Sequence, residues 1–306
     1  MTVLRIAATS HGHNYLPEYL ADASGAFARR GLEVRSWPRD PWTGVIDDLD
    51  AGEADVVLGG IWGAAMYTGR GRDLVAVGQV NDRFSKEIVT REPVEDFDWS
   101  WIEGRTILAP GAGGTAPYEF TAGLIRRAGV DPASARFVRD LSGQMLTELF
   151  EAGLGDAIIL DTFSATQLSL RGGGHRAYRM AGPGGRMPNS VYYTYRDRLE
   201  DLQEPLAAFL GGLQEAMDAI AAGADLEPVL AEHWPSVSPE ARTSATAELI
   251  ANGTWNGVAI DPDACNSWMA ILHDAGLVAP EVGYEQLVDT RALDASGAGA
   301  KAVPSP

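Results

Sequence analysis

The sequence predicts an α/β protein of two lobes, each a mainly parallel sheet flanked by helices. Three observations predict it. Over the first 90 residues, short apolar runs alternate with apolar residues recurring at helical spacing. After an acidic loop at Glu92–Trp101, broken by Pro93, the same alternation starts again. Beyond Ser190 the pattern becomes a run of helices whose apolar stripes must pack back on the first lobe.

Leu4–Ala8 alternates as a strand. Leu16, Tyr19, Leu20, Ala23 and Phe27 then recur at helical spacing up to Arg30, and Gly31 is a natural stop. Leu32–Ser36 is a second strand, Thr43–Ala51 a helix, Asp55–Leu58 a third strand and Gly63–Gly69 the start of another helix. Val75–Val80 and Ile88–Thr90 follow as strands. Strand–helix–strand units of this length imply parallel pairing with helices on both faces.

In the second lobe Thr106–Ala109, Arg136–Val138 and Ala157–Leu160 read as strands. Thr115–Ala128, Gly143–Glu151 and Thr162–Leu170 read as helices, before a Gly-rich stretch at Arg171–Arg186. A strand at Ser190–Tyr195 introduces helices at Leu202–Ala221, Leu226–Glu232, Pro239–Asn252 and Pro262–Asp274. The expected division is residues 1–90 with 187–291 in the first lobe and 91–186 in the second. A small, polar, Pro-ended flexible tail is expected over 292–306. The chain would cross twice, near Ile88–Pro93 and near Gly182–Ser190, which makes a hinged cleft. Both lobes would aim the carboxyl ends of their strands into it, where open α/β sheets hold ligands.

Composition narrows the function classes. The 306 residues carry 24 Lys+Arg against 42 Asp+Glu, a net charge of −18, with 45% hydrophobic residues and eight Trp. That mixture excludes disorder and collagen-like repetition. Nucleic acid is excluded as a partner because a polyanion binder needs a basic stripe. Anionic membrane surfaces are disfavoured on the same ground. The single cysteine, Cys265, leaves no intramolecular disulfide and no Cys-based zinc cluster. No run reaches the roughly 18 apolar residues of a membrane span, so no membrane insertion is expected. Met1–Ala8 is already an alternating strand with no basic leader or cleavage site ahead of it. A natural start at Met1 predicts a cytoplasmic protein; a trimmed export signal predicts the periplasm or the cell surface.

Four segments follow predicted strands and could carry chemistry. Thr9–Tyr15 holds two of the five histidines, His11 and His13, together with Ser10, Asn14 and Tyr15. A histidine with an unperturbed pKa near 6.5 can move protons or bond a ligand. The alternative is that the loop is solvated, with Ser10 or Asn14 capping the helix. His-x-His supplies two metal ligands without a third carboxylate at fixed spacing, so no metal is expected. Gly59–Gly63 contains Gly60, which permits close backbone approach, and Trp62, which either stacks on a planar ligand or packs beneath the helix. Gly111–Thr115 puts Gly113, Gly114 and Thr115 at a helix start, where backbone N–H groups favour an anionic or carbonyl oxygen. The alternative there is an ordinary turn capped by Thr115. Asp161 either caps the next helix, accepts from the ligand or serves as an acid or base. Trp42 and Asn81-Asp82 end neighbouring elements and are weaker candidates of the same kind.

The run Tyr19–Val34, YLADASGAFARRGLEV, resembles the first helix of bacterial substrate-binding proteins of the aliphatic-sulfonate and thiamine-pyrimidine-precursor family. Leu49–Val56 is similar to that family's entry to the third strand, and Ile102–Ile107 to its entry to the second lobe. Gly129-Val130-Asp131, Met145, Leu149 and Gly153–Ala157 match the remainder of that lobe, so the likeness runs from about Leu4 to Gly276. The resemblance implies the type 2 periplasmic-binding-protein fold and a hinged binder for a small polar or aromatic solute. Enzymes share that fold, so fold alone does not choose a function. The thiamine-pyrimidine synthases among them hold pyridoxal phosphate on a lysine just after the third strand. This chain has Gly59 and Gly63 near those places, only two lysines (Lys86 and Lys301) and no cysteine-rich motif. Aryl-sulfinate desulfinases use a first-loop cysteine where Gly12 stands. No cofactor is expected.

The expected function is a small-molecule-binding protein of the substrate-binding type, holding a small planar, anionic organic ligand in the cleft. An ABC-type permease would be its partner if the protein is exported. The alternative is a cytoplasmic, cofactor-independent decarboxylase, lyase or dehydratase, with His11 or His13 as general acid or base and Asp161 as the partner carboxylate.

Overall fold

Residues 1–109, 116–139 and 141–298 are described in the computed structural model of the protein. The chain divides into two units. The first comprises Met1–Arg83, Arg186–His233 and the chain from Gly253 on; the second comprises Phe84–Gly185 and Trp234–Asn252. The chain therefore passes between units at four places, not at the two expected.

In order, the elements begin β1 (Thr2–Ala8), α1 (Leu16–Ala23), β2 (Leu32–Pro38), α2 (Gly44–Asp50), β3 (Val56–Gly60), α3 (Ile61–Tyr67) and β4 (Leu74–Arg83). The second unit adds β5 (Lys86–Thr90), β6 (Thr106–Leu108), α4 (Ala116–Arg127), β7 (Arg136–Val138), α5 (Gly143–Glu151), β8 (Ala157–Asp161), α6 (Thr162–Leu170) and β9 (His175–Arg179). Then come β10 (Arg186–Tyr195), α7 (Leu199–Ala221), α8 (Glu227–His233), α9 (Pro239–Ala251), α10 (Pro262–Asp274), α11 (Tyr284–Leu287) and α12 (Arg291–Ser296).

The sheet of the first unit has the order β2-β1-β3-β10-β4. β1 is parallel to β2 and β3, while β10 runs antiparallel to β3 and β4. Its central strands bury Leu4, Ile6, Val56, Val57, Leu58, Val191 and Tyr192. Apolar residues in succession along β3 fit a strand covered on both faces. The sheet of the second unit has the order β7-β6-β8-β5-β9, with β6 parallel to β7 and β8, and β5 antiparallel to β8 and β9. Its core gathers Val89, Leu108, Leu146, Phe150, Ile158, Leu160 and Leu168.

Both sheets are mainly parallel, as expected, with one reversed strand each: β10 and β5 arrive directly from the other unit and need no crossover helix to align them. Three expectations need correction. β5 was expected in the first lobe and joins the second sheet. β9 lies inside the stretch expected to be a Gly-rich loop, paired to β5 at the sheet edge. The tail expected to be flexible from residue 292 instead begins inside α12, which buries Ala292 and Leu293. Among the described residues no helix is long and apolar enough to cross a membrane.

Helix ends follow local rules. Gly25 at φ +74° ends α1 earlier than the apolar spacing suggested, and Gly31 at φ +73° turns the chain into β2. Asp261 caps α10 by accepting from Ala264 N at 2.9 Å, with Pro262 at its first position. α9 belongs to the second unit, where Trp234, Val237, Ala241 and Ala245 pack with Phe163 of α6. Arg176 of β9 reinforces it, pairing with Glu87 of β5 and Glu248 of α9 at 2.6 Å each.

Candidate functional site

Two strands of the first unit bring polar side chains to one place beside the end of a third. Ser190 on β10 lies opposite both Gly60, the last residue of β3, and Asn81 near the end of β4. The loop after β1 closes over this point. Asn14 Nδ2 donates to Ser190 Oγ at 3.5 Å, and Asn81 Nδ2 donates to the Asn14 carbonyl at 3.4 Å. Asn189 Nδ2 donates to Asn81 Oδ1 at 3.0 Å. Trp255 Nε1 donates to the same Asn14 carbonyl at 2.9 Å, and its ring meets His13 edge-on at 6.2 Å. Amides and a hydroxyl thus share a buried patch walled by indole and imidazole, its groups bonded to one another.

An aromatic group adjoins it. The Tyr15 hydroxyl lies 3.2 Å from Thr9 Oγ1. A Cβ at Gly59 would come within 2.8 Å of Thr9 Cγ2, and one at Gly63 within 2.9 Å of the Tyr193 hydroxyl. At Gly60 it would overlap the Trp62 ring at 2.2 Å. These glycines make room for the chain's own side chains. Trp62 is half-buried and stands edge-to-face with Trp268 at 6.3 Å. Burial pushes the Tyr193 phenol well above its usual range, so it stays protonated and able to donate.

Charge at this end of the sheet is already matched. Arg186 at the start of β10 bonds Asp82 at 2.7 Å and Asp261 at 2.8 Å. Asp82 is 1% exposed, and burial raises its pKa even though Arg186 pulls the other way.

The structure places the remaining candidates as follows. Ser10 is exposed. His11 turns to the outer side of its loop, where its Nε2 lies 3.0 Å from His233 Nδ1 and its ring 5.1 Å from that of Tyr19. Burial, then the charge of His233, lowers the His11 pKa. Trp42 is half-buried beyond β2, and the described contacts do not join it to the Asn14 group. Asp161, in the second unit, caps α6: its oxygens take the Ser164 amide and hydroxyl at 2.9 Å each. Gly113, Gly114 and Thr115 lie outside the described residues.

Asn189, Ser190 and Trp255 were not singled out from the sequence. A polar pair opening an otherwise apolar strand was a readable signal for the first two. A tryptophan in the Gly253–Gly257 connector, between two helices, was the signal for the third.

The NMT1/THI5-like family matches residues 13–225 of the chain. The chain is similar to the putative binding protein YtlA of Bacillus subtilis (strain 168), with 21% identity covering 94% of this chain and 88% of that protein. It is also similar in structure to the alkanesulfonate-binding protein SsuA from Xanthomonas axonopodis pv. citri, solved bound to MOPS. That likeness has a TM-score of 0.75 at 16% identity, covering 95% of this chain and 99% of the other. The periplasmic nitrate-binding protein NrtA from Synechocystis PCC 6803 gives a TM-score of 0.73 at 10% identity, covering 100% of this chain and 91% of the other. At such identities the structural likeness shows the fold, which is that of periplasmic binding proteins.

Proposed function

The chain belongs to the NMT1/THI5-like family, and from that premise we propose that it is a substrate-binding protein. Its small organic ligand would be held against the end of the first unit's sheet, at Asn14, Tyr15, Gly60, Trp62, Asn81 and Ser190. The observation that carries this reading is the meeting of loop 10–15, β3, β4 and β10 at Ser190, with Trp255 closing over the loop.

The ligand class follows from the donors. Arg186 is committed to two carboxylates, so an anionic or carbonyl oxygen would be met by amide, hydroxyl and backbone N–H groups. Trp62 and Tyr15 are proposed for a planar part. The names of SsuA and NrtA support a small oxyanion-bearing solute and a periplasmic location, and the likeness to a periplasmic sulfonate-binding protein of a putative sulfonate ABC transporter from Methylobacillus flagellatus KT supports an ABC-type permease as partner. The catalytic alternative draws less support: His11 meets a second histidine, and Asp161 serves as a helix cap with both oxygens on Ser164.

A thermal-shift panel of alkanesulfonates, nitrate, aromatic carboxylates and pyrimidines tests the reading. A ligand at 100 times its Kd adds about 2.7 kcal/mol, a rise of roughly 5 °C for a chain of this size. Trp62→Ala and Ser190→Ala should each reduce that rise. A ligand whose shift neither substitution alters would place binding elsewhere.

A further inference from the structure

Loop 10–15 is held from two directions by the ends of one excursion of the chain. α8 ends at His233, and the next residue, Trp234, already belongs to the second unit. There α9 is fastened by Phe163 packing and by Glu248, which pairs with Arg176 at 2.6 Å and Arg179 at 2.5 Å. The chain re-enters the first unit at Gly253. The Thr254 carbonyl at once takes the Asp82 amide at 3.2 Å, pinning the return to the end of β4.

Both flanks of this excursion touch the loop. On the outgoing side His233 Nδ1 lies 3.0 Å from His11 Nε2, and its ring stacks on Tyr19 at 4.2 Å. On the return side Trp255 donates to the Asn14 carbonyl at 2.9 Å. Surface loops ordinarily take their order from the elements they join. This loop also takes it from the two ends of a segment whose middle is anchored in the other unit.

We propose that His233 and Trp255 are positioning residues of loop 10–15, and that through them the loop's conformation is tied to the seating of α9 on the second unit. Whatever reshapes the loop then biases α9, and the reverse follows by reciprocity.

Electrostatics give the outgoing contact a pH dependence. Tyr19 and Asp22 of α1, Glu232 of α8 and the two imidazoles are the titratable groups that face one another here. Burial lowers both histidine pKa values; the charge of His233 adds to this at His11, while Glu232 and Asp22 oppose it at His233. Depressed values mean that the contact is at full strength above about pH 6.5 and fades as pH falls through them. The N···N hydrogen bond survives one proton and is lost when both rings carry one.

No ligand enters the test, so this inference and the binding function fail separately. Hydrogen–deuterium exchange of the full chain is followed in the peptides covering residues 10–15, β1 and α9. At pH 7.5, Trp255→Phe and His233→Gln should each raise exchange in loop 10–15 by roughly threefold to tenfold, the loss of one hydrogen bond, with β1 unchanged. Phe163→Ala and the milder Glu248→Gln, both confined to the second unit, should raise exchange in α9 and in the loop together. After correction for intrinsic rates, wild-type loop exchange should rise between pH 7 and pH 5, and His233→Gln should flatten that rise. Loop exchange that stays at the wild-type level while α9 loosens overturns the link to α9. Loop exchange unchanged in Trp255→Phe and His233→Gln overturns the positioning role, as does a pH response that persists in His233→Gln.

Discussion

Glu18 shows how a single buried carboxyl can shape the pH response of a fold. It sits in α1 at 3% exposure, and its Oε2 accepts the Tyr192 hydroxyl at 2.7 Å. Burial raises its pKa, outweighing the opposing hydrogen bonds from Tyr192 and Ser36, while the nearby Asp22 raises it further. A carboxyl raised above its unfolded value of 4.5 stabilises the fold fully below that pH, and this contribution is lost as pH climbs through the folded value. Glu18→Gln keeps an acceptor for Tyr192 and removes the ionisation. The variant should therefore be more stable than wild type at neutral pH, with a flatter dependence between pH 5 and 8. Urea unfolding across that range checks it, and a variant less stable at pH 7 would show that the charge is tolerated. At this scale the sequence disclosed Asn14 and Tyr15 because they follow a strand and precede a helix. Ser190 and Trp255 stayed hidden because their value comes from partners far along the chain: Asn14 is 176 residues from one and 241 from the other.

Among the elements, β9 and α9 are where local pattern and tertiary outcome part. α10 was legible to the residue, since Asp261-Pro262 is a cap followed by a first-turn proline. β9, HRAYR, follows three glycines and has no fully buried side chain, so its composition resembles a loop. Its pairing to β5, and the direction of β10 between β3 and β4, depend on how the chain re-enters each unit rather than on apolar period. α9 had a readable helical pattern but no local mark of the unit it joins. Arg176 now supplies the reason that β5, β9 and α9 stay together: its side chain is 12% exposed and serves Glu87 and Glu248 at once. Arg176→Ala leaves Glu87 buried without its cation and should cost about 3–5 kcal/mol. Chemical denaturation measures it, and a loss below about 1 kcal/mol would mean that the pair behaves as a surface one.

For the whole molecule, a net charge of −18 sets the terms on which any ion approaches. Raising ionic strength from about 0.01 M to 0.15 M shortens the Debye length from roughly 30 Å to 8 Å. An anionic ligand should therefore associate several-fold faster at the higher salt, and a cationic one more slowly. Stopped-flow tryptophan fluorescence separates the cases, and an anion slowed by salt would reveal a local positive field. The interleaving of the two units has a consequence for synthesis. β10, which pairs with β3 and β4, is translated some 100 residues after β4 ends, and α9 reaches the second unit only after that. The return along β4 and the seating of α12 on α7 come later still. At about 5–20 residues per second, the earliest strand waits on the order of ten seconds or more for its last partners. The second sheet, β5 to β9, is therefore finished before the first receives β10, so the unit that starts first is the one whose sheet is completed last.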